Sequence, residues 1–305
     1  MSDQLQKYLF ADRTVRAQTV DLTLAWQQIQ ANHHYPAPVT RLLGELVAAS
    51  ALLSANLKFD GTLVLQLQGD GDIPLIVVEC RANLDVRATV KVRDEAELPD
   101  TGDLQSLMNP GGRGRFIVVL DPPRRSGSVQ PYQGVVPMVG DTVAQVLEHY
   151  MATSEQLQTR LWLGANPQRC AGLLLQRLPD TGGHVMGQAE PSWDRALHLA
   201  ATLHEAELLE TPSATLMHRL FWEEDLLVFD AQSVRFFCPC SRQKVANMLR
   251  MLGHDEVDDI LREQGHVKVN CDYCTRQYLF DRVDCAEVFA SAQPDSLRHH
   301  SGERH

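Results

Sequence analysis

The sequence predicts an α+β protein in which an N-terminal mixed or antiparallel sheet domain with helices is joined by a helical linker to a small C-terminal zinc-binding domain. Three observations support this fold class. Apolar runs separated by short turn signals fill roughly the first 180 residues, as is typical of neighbouring antiparallel strands. Residues 191–237 change to helical periodicity. Two close cysteine pairs follow near the C-terminus.

The N-terminal domain, predicted over residues 1–180, is expected to contain one long helix and several strands. Pro38 opens a run of apolar residues at helical spacing that continues to Leu53. After the turn signal Asp60-Gly61, apolar and polar residues alternate as in a half-buried strand. Asp141 or Thr142 is expected to cap a later helix. The predicted strands cover residues 63–67, 75–78, 86–92, 116–120, 161–163 and 173–175.

The linker is predicted over residues 181–237, after a Pro- and Gly-containing break at 179–183. Ser192 is expected to cap one amphipathic helix that extends to Ala206, and a second short helix follows Pro212. The stretch has little core of its own and must pack on something. Two interpretations remain open: a connector docked on the main sheet, or a segment built to detach.

The C-terminal domain is predicted over residues 238–290, with a disordered tail over 291–305. Two helical stripes lie between the cysteine pairs and end at Gly253 and Gly265, and a strand at 267–271 leads into the second pair. The first stripe comprises Val245, Met248, Leu249 and Leu252, and the second comprises Val257, Ile260 and Leu261. About 55 residues with so few large apolar groups do not form a robust core alone. A structural zinc ion would add on the order of 10 to 16 kcal/mol at neutral pH.

The cysteines form a C-x-C pair and a C-x-x-C pair separated by 30 residues: Cys238, Cys240, Cys271 and Cys274. Two such pairs brought together make a tetrahedral thiolate site for zinc. The same pairs can each close into a disulfide when oxidised. The pattern therefore predicts a metal site, and it leaves open whether that site is permanent or is a redox switch.

Composition limits the function classes. The formal net charge is −11, with 28 Lys and Arg against 39 Asp and Glu, which argues against nonspecific nucleic-acid binding. No apolar run in the sequence approaches the length needed to span a bilayer, and Met1–Gln4 lacks the features of a signal peptide, so we expect a cytoplasmic protein without membrane association. The clustered thiols suit a reducing compartment. No motif of a hydrolase is present, and the expectation is a protein that is not an enzyme.

Beyond the cysteines, three segments carry a family resemblance: Leu42-Leu43-Gly44-Glu45, Tyr132-Gln133-Gly134-Val135-Val136, and Ser154-Glu155-Gln156 after Tyr150. Together with the four cysteines they resemble the redox-regulated holdase family, the bacterial 33-kDa heat-shock chaperonin. The resemblance extends from about Leu9 to Phe289.

This resemblance implies one Zn²⁺ ion per reduced chain, held by the four cysteines, and an inactive zinc-bound state. It implies that oxidation pairs Cys238 with Cys240 and Cys271 with Cys274, releases zinc, and unfolds the C-terminal domain and the linker. The activated form is then expected to dimerise and to hold unfolding client proteins without ATP. The client-binding surface is expected to include apolar linker residues, namely Trp193, Leu203, Leu216 and Phe221.

The sequence departs from the family pattern at two places. Arg87-Ala88 stands where family members usually have Arg-Gly, and Cys285 stands where an aliphatic residue is expected. A fifth thiol near the site could scramble the disulfide pairing. Cys80 and Cys170 are expected to be small buried residues.

Two other functions compete with the holdase. A zinc-ribbon nucleic-acid-binding or transcription-regulatory module would use the same cysteines, but the acidic charge opposes it. A thiol oxidoreductase is supported by the C-x-x-C pair alone, and such an enzyme would not need a zinc-dependent fold.

Overall fold

A computed structural model describes residues 3–31, 33–57, 60–94, 96, 98–99, 101–122, 130–179 and 191–290. The chain divides into two compact units, unit 1 (Met1–Phe237) and unit 2 (Cys238–His305). Both units combine sheets with helices, so the predicted α+β class is confirmed. The tail at 291–305 and most of the predicted break at 179–183 lie outside the described residues.

Unit 1 contains twelve described strands and seven described helices. In chain order they are β1 (Gln4–Phe10), β2 (Val15–Leu22), α1 (Leu24–Gln30), α2 (Ala37–Ser54), β3 (Thr62–Gln68), β4 (Leu75–Arg81), β5 (Asp85–Lys91), α3 (Leu104–Met108), β6 (Arg115–Asp121), β7 (Tyr132–Pro137), α4 (Val143–Thr153), β8 (Thr159–Ala165), β9 (Cys170–Arg177), α5 (Pro191–Ala200), α6 (Glu205–Glu210), α7 (Ser213–Leu220), β10 (Leu226–Val228), β11 (Gln232–Ser233) and β12 (Arg235–Phe236).

Unit 2 is built from three helices and one hairpin among its described residues. These are α8 (Arg242–Leu252), α9 (His254–Gln264), β13 (Val267–Asn270), β14 (Gln277–Phe280) and α10 (Arg282–Ala290). Gly253 and Gly265 follow α8 and α9 with φ of +102° and +76°, so both predicted helix ends are confirmed. Glycine adopts this backbone conformation without the steric cost of a Cβ atom.

The strands of unit 1 form two sheets. Sheet A has the order β10-β1-β2-β9-β8, with β11 also paired to β1, and sheet B has the order β12-β5-β4-β3-β6-β7. Among the described strands of these sheets, all pairs are antiparallel except β12 with β5. The antiparallel prediction is therefore confirmed for the six strands that the sequence indicated, whereas β1, β2, β7 and the three short strands after α7 were not predicted.

Helix α2 lies in the main core and packs against strands of both sheets. The expectation that no apolar run is long enough to span a bilayer was wrong in one respect, because the length and composition of this helix would allow it to cross a membrane. However, 83% of it is buried inside the protein, where a central helix between two apolar sheet faces must itself be apolar nearly all round.

Gly44, in the family-like segment of α2, allows this helix to approach sheet A closely. A Cβ atom at this position would lie 2.4 Å from the Cβ of Ala165 on β8 and 3.1 Å from the ring of Trp26. Non-bonded contacts of a Cβ atom below 3.0 Å essentially do not occur, so the approach to Ala165 leaves no room for a side chain. The glycine is therefore required by the spacing between α2 and β8.

The segment at 154–156 has a structural contact in the fold. Thr142 caps α4 as predicted, and its hydroxyl accepts a hydrogen bond from the backbone N–H of Gln145 at 3.2 Å. At the other end, the Tyr150 hydroxyl donates to Glu155 at 2.7 Å, which fixes the chain as it leaves the helix. Glu155 of the family-like segment therefore makes a structural contact with the helix that precedes it.

The linker helices α5–α7 pack on the outer face of sheet A, opposite α2, and form a second core with strands β1, β2 and β9. The end of the linker differs, since Val234 and Phe236 belong to the main core. The prediction of one helix from Trp193 to Ala206 was wrong, because the chain turns between α5 and α6. The Thr202 hydroxyl donates to the carbonyl of Leu199 at 2.7 Å, a local bond that competes with helix continuation. The turn also places Leu203 in the second core. Ser192 is not the N-cap, since it lies within α5.

Candidate metal centre in the C-terminal unit

The first cysteine pair stands immediately before α8. Ser241 is the N-cap residue of this helix, and its hydroxyl accepts a hydrogen bond from the backbone N–H of Lys244 at 3.3 Å. Cys238 and Cys240 therefore lie next to the first turn of α8, where unpaired N–H groups and the helix dipole favour a negatively charged sulfur.

The second pair occupies the turn between β13 and β14. The Cys271 N–H donates to the carbonyl of Arg276 at 3.0 Å, and the Thr275 N–H donates back to the carbonyl of Cys271 at 2.8 Å. Thr275 adopts a φ of +54° to close the turn. The hairpin thereby holds Cys271 and Cys274 on one tight loop.

The four cysteine sulfurs converge. All four Sγ atoms lie within 4.8 Å of one another. The Sγ atoms of Cys238 and Cys271 are 3.6 Å apart, and those of Cys240 and Cys274 are 3.4 Å apart. None of these four residues is joined in a disulfide. We call this group the four-cysteine cluster.

The spacing fits a tetrahedral metal ion. With Zn–S bonds of about 2.3 Å, the sulfurs of a regular tetrahedron lie about 3.8 Å apart, close to the separations in the cluster. The donor set consists of soft sulfur atoms only, which suits zinc rather than magnesium or calcium. The four-cysteine cluster could thus hold a metal ion.

Without a bound cation, ionisation of the thiols in the four-cysteine cluster is electrostatically unfavourable. Burial, together with hydrogen bonds that the Cys274 thiol donates to the neighbouring cysteine sulfurs, raises the pKa of Cys274 to about 12. A nearby cation reverses this tendency because it stabilises the thiolate form. The Tyr278 hydroxyl lies 3.1 Å from the Cys240 sulfur and supplies an O–H donor for it. Tyr278 was not among the predicted site residues, although it lies only four residues after Cys274 in the chain.

The core of unit 2 is small. Ten described residues are buried in it, and they come from all three helices and the hairpin. The predicted stripe on α8 was only half right: Val245 and Leu249 are buried, but Met248 is 41% exposed and Leu252 is 50% exposed. The second stripe is confirmed, since Val257 and Leu261 are buried and Ile260 packs against the same core. The apolar face of α8 is therefore narrower than its sequence suggests.

The other three cysteines lie outside the cluster. Cys285, on α10, is buried in the core of unit 2 and is not one of the four residues whose sulfurs gather. Cys80 and Cys170 are fully buried in unit 1, as predicted, and burial raises the pKa of Cys80 to about 12. All three are buried in apolar surroundings that disfavour the thiolate.

The four predicted client-binding residues are all buried in the second core of unit 1. Trp193 and Leu203 are each 7% exposed, and Leu216 and Phe221 are 1% and 2% exposed. The structure brings them together on the outer face of sheet A. In this state they are covered, and their role in client binding stays a prediction.

Comparisons with known proteins agree on one family. The family model described as Hsp33 protein matches residues 3–281. The chain is 44% identical over 293 residues to the 33 kDa chaperonin of Methylobacillus flagellatus, covering 95% of this chain and 96% of that protein. It is 46% identical over 287 residues to the 33 kDa chaperonin of Chromobacterium violaceum, covering 94% of each.

A solved structure has the same fold. The crystal structure of the 33 kDa chaperonin from Thermotoga maritima matches with a TM-score of 0.79 at 23% sequence identity, covering 95% of this chain and 98% of that one. The two chains therefore share their architecture over nearly their whole length. With the family model matching from residue 3 to residue 281 and curated relatives above 40% identity, this chain belongs to the Hsp33 family of chaperones.

Proposed function

We propose that this protein is an ATP-independent holdase that is switched on by oxidation of the four-cysteine cluster. In the reduced chain, the thiolates of Cys238, Cys240, Cys271 and Cys274 hold one Zn²⁺ ion, which stabilises the fold of unit 2. The observation that carries the proposal is the convergence of two thiol pairs within 4.8 Å in a unit with a small core. A reducing cytoplasm is the compartment in which these thiols stay reduced.

The switch is a two-electron oxidation of each cysteine pair. Two thiolates of a pair give up two electrons and form one S–S bond, and hydrogen peroxide takes up those electrons with two protons and becomes two water molecules. We assign the pairs as Cys238 with Cys240 and Cys271 with Cys274, as the resemblance to the Hsp33 family implies. Disulfide formation removes the thiolate ligands, and the chain can then no longer retain the ion.

Loss of the ion unfolds unit 2 in this proposal. Structural zinc contributes on the order of 10 to 16 kcal/mol in small peptides at neutral pH, which exceeds what a core of this size supplies. The unfolded chain then begins directly after the linker, whose helices α5–α7 are amphipathic and held mainly by packing on sheet A. Short amphipathic helices of this kind are marginal without a docking surface.

Detachment of the linker uncovers apolar surface. The second core contains Trp193, Leu203, Leu216 and Phe221 together with apolar residues of sheet A. Contiguous exposed apolar surface binds other unfolded chains. We propose that this surface holds client proteins and that it supports dimerisation of the activated chain.

The test is suppression of client aggregation by the reduced, zinc-loaded chain and by the peroxide-oxidised chain. A thermally unfolding client followed by light scattering should aggregate freely with the reduced chain and stay soluble with the oxidised chain. Re-reduction in the presence of zinc is the matched control, and it should restore the inactive state. Equal suppression by both forms would contradict a redox switch.

A further inference from the structure

The last strand of unit 1 fills a groove at the edge of sheet B. Strand β12 pairs in parallel with β5, with Arg235 opposite Asp85 and Phe236 opposite Val86. Its backbone N–H groups donate outward to this edge: Arg235 to the carbonyl of Leu84 at 3.2 Å, and Phe237 to the carbonyl of Val86 at 3.1 Å. The segment is therefore held as an added strand.

The opposite wall of the groove is formed by the N-terminal strand end and α1. The Val234 N–H donates to the carbonyl of Asp3 at 3.1 Å, while the Asp3 carboxylate accepts hydrogen bonds from the first turn of α1. Helix α1 packs along β12. The groove thus accommodates one extended chain between β5 and α1.

Successive side chains of the segment in the groove point alternately toward the core and toward solvent. Val234 is 3% exposed and Phe236 packs against the main core, so both point inward. Arg235 points outward and pairs with Asp85, whose side chain is only 3% exposed. The ring of Phe237 lies 4.9 Å from the Arg81 guanidinium carbon. The preferred occupant is an extended segment with apolar, basic and aromatic residues in succession.

The paired part of β12 is short. It is two residues long, and its ion pair involves an Arg235 side chain that is 68% exposed, so water screens much of the attraction. Farther along the same edge, the Tyr35 hydroxyl meets the backbone of Val90, accepting from its N–H at 3.2 Å and donating to its carbonyl at 3.4 Å. The edge of β5 is thereby covered at both ends, and departure of β12 would leave the carbonyls of Leu84 and Val86 as open acceptors.

We propose that this groove is a binding site for extended segments of unfolding proteins, which β12 occupies as an internal substitute while unit 2 is folded. The inference rests on the proposed function and names a client-binding site separate from the second core. Cys238 follows Phe237 directly in the chain. Unfolding of unit 2 therefore removes the folded anchor at the C-terminal end of β12 and allows the strand to leave.

Strand addition suits a chaperone with many clients. Its main-chain hydrogen bonds require no particular sequence, and the alternate side-chain positions supply only a modest preference. When β12 leaves, Asp85 loses Arg235 but keeps Arg81 at 3.8 Å. A basic residue in the incoming segment restores the second ion pair, so basic and apolar segments are preferred.

The test uses a fluorescent peptide with the sequence of residues 232–237, Gln-Ser-Val-Arg-Phe-Phe. It should bind the oxidised full chain at least about tenfold more tightly than the reduced chain, and it should displace an unfolded client. A control peptide carries N-methyl groups on the residues equivalent to Arg235 and Phe237, which removes both backbone donors and keeps the side chains. Loss of two hydrogen bonds should weaken its binding about tenfold or more.

A substitution in the segment that occupies the groove provides a second test. Arg235→Ala removes the ion pair to Asp85 and should increase peptide binding by the reduced chain several-fold. The control is Arg160→Ala, which removes a different surface ion pair of unit 1, to Glu148, and should leave peptide binding unchanged.

Three results would overturn the inference. The first is equal affinity of the oxidised chain for the methylated and unmethylated peptides. The second is no peptide binding by an oxidised chain that does suppress client aggregation, which leaves the proposed function intact. The third is a loss of peptide binding as the oxidised chain dimerises, which would mean that the groove binds a second copy of this chain instead of a client. An oxidised chain that fails to suppress aggregation overturns the proposed function itself.

Discussion

Replacing Cys271 with serine should abolish tight zinc binding and unfold unit 2 while unit 1 stays folded. Cys271 supplies one of four sulfurs that lie within 4.8 Å of one another, and serine oxygen is a poor substitute for thiolate in a soft site. The affinity for zinc should fall by more than the roughly 10- to 100-fold that is typical when a residue hydrogen-bonded to a metal ligand is removed. Zinc content and hydrogen exchange, resolved for residues 238–290 and 3–179, measure the two effects.

The control for this variant is Cys285→Ala. It removes a thiol from the same unit, but Cys285 lies in the apolar core and outside the four-cysteine cluster. The substitution should cost on the order of 1 kcal/mol through the small cavity and should leave zinc content unchanged. A Cys271→Ser chain with native protection in 238–290 would contradict the dependence of unit 2 on the metal.

Phe221→Ala should loosen the linker and make the reduced chain active without oxidation. Phe221 is 2% exposed and meets Phe10 of β1 edge to face, with ring centroids 5.5 Å apart. Removing a buried phenylalanine side chain costs about 3 to 5 kcal/mol. That loss falls on the second core, which holds α5–α7 against sheet A. Hydrogen exchange in 191–221 and client aggregation under reducing conditions measure the result.

The neighbouring residue provides a matched control. Trp222 is 69% exposed, so Trp222→Ala removes a larger aromatic ring with an expected effect of less than about 0.5 kcal/mol. It should leave the reduced chain inactive. If Phe221→Ala frees the linker and the reduced chain still fails to hold clients, the client-binding surface does not lie in the second core.

The parts of the fold that were predictable are those specified by local sequence. The long helix α2 and the central strands carry regular apolar periodicity, and the ends of α8 and α9 carry glycines with positive φ. The break between α5 and α6 was not predictable from periodicity, because it depends on the Thr202 hydroxyl and on the position of Leu203 against sheet A.

Short strands that pair with distant parts of the chain were also missed. Strands β10, β11 and β12 are two or three residues long, and each is a strand only because β1 or β5 lies beside it. Propensity cannot identify such elements, since the pairing itself creates them. The groove at β5 therefore became visible only in the structure.

The cysteine site was predictable to a greater extent, because each pair lies within one short segment. The C-x-C segment precedes a capped helix, and the C-x-x-C segment forms a tight turn, so the sequence already restricts each pair. What the sequence could not give is the approach of one pair to the other, with Cys238 beside Cys271 and Cys240 beside Cys274. The contact from Tyr278 belongs to the same tertiary arrangement.

The most direct measurement follows zinc release and helix content in one sample during peroxide treatment. The reduced, zinc-loaded chain is mixed with peroxide and a chromogenic chelator, and far-UV circular dichroism is recorded on the same time course. We predict that zinc appears in solution and that helical signal is lost with the same time dependence, since the thiolates that retain the ion also maintain unit 2. Complete zinc release with an unchanged helical signal would contradict this coupling.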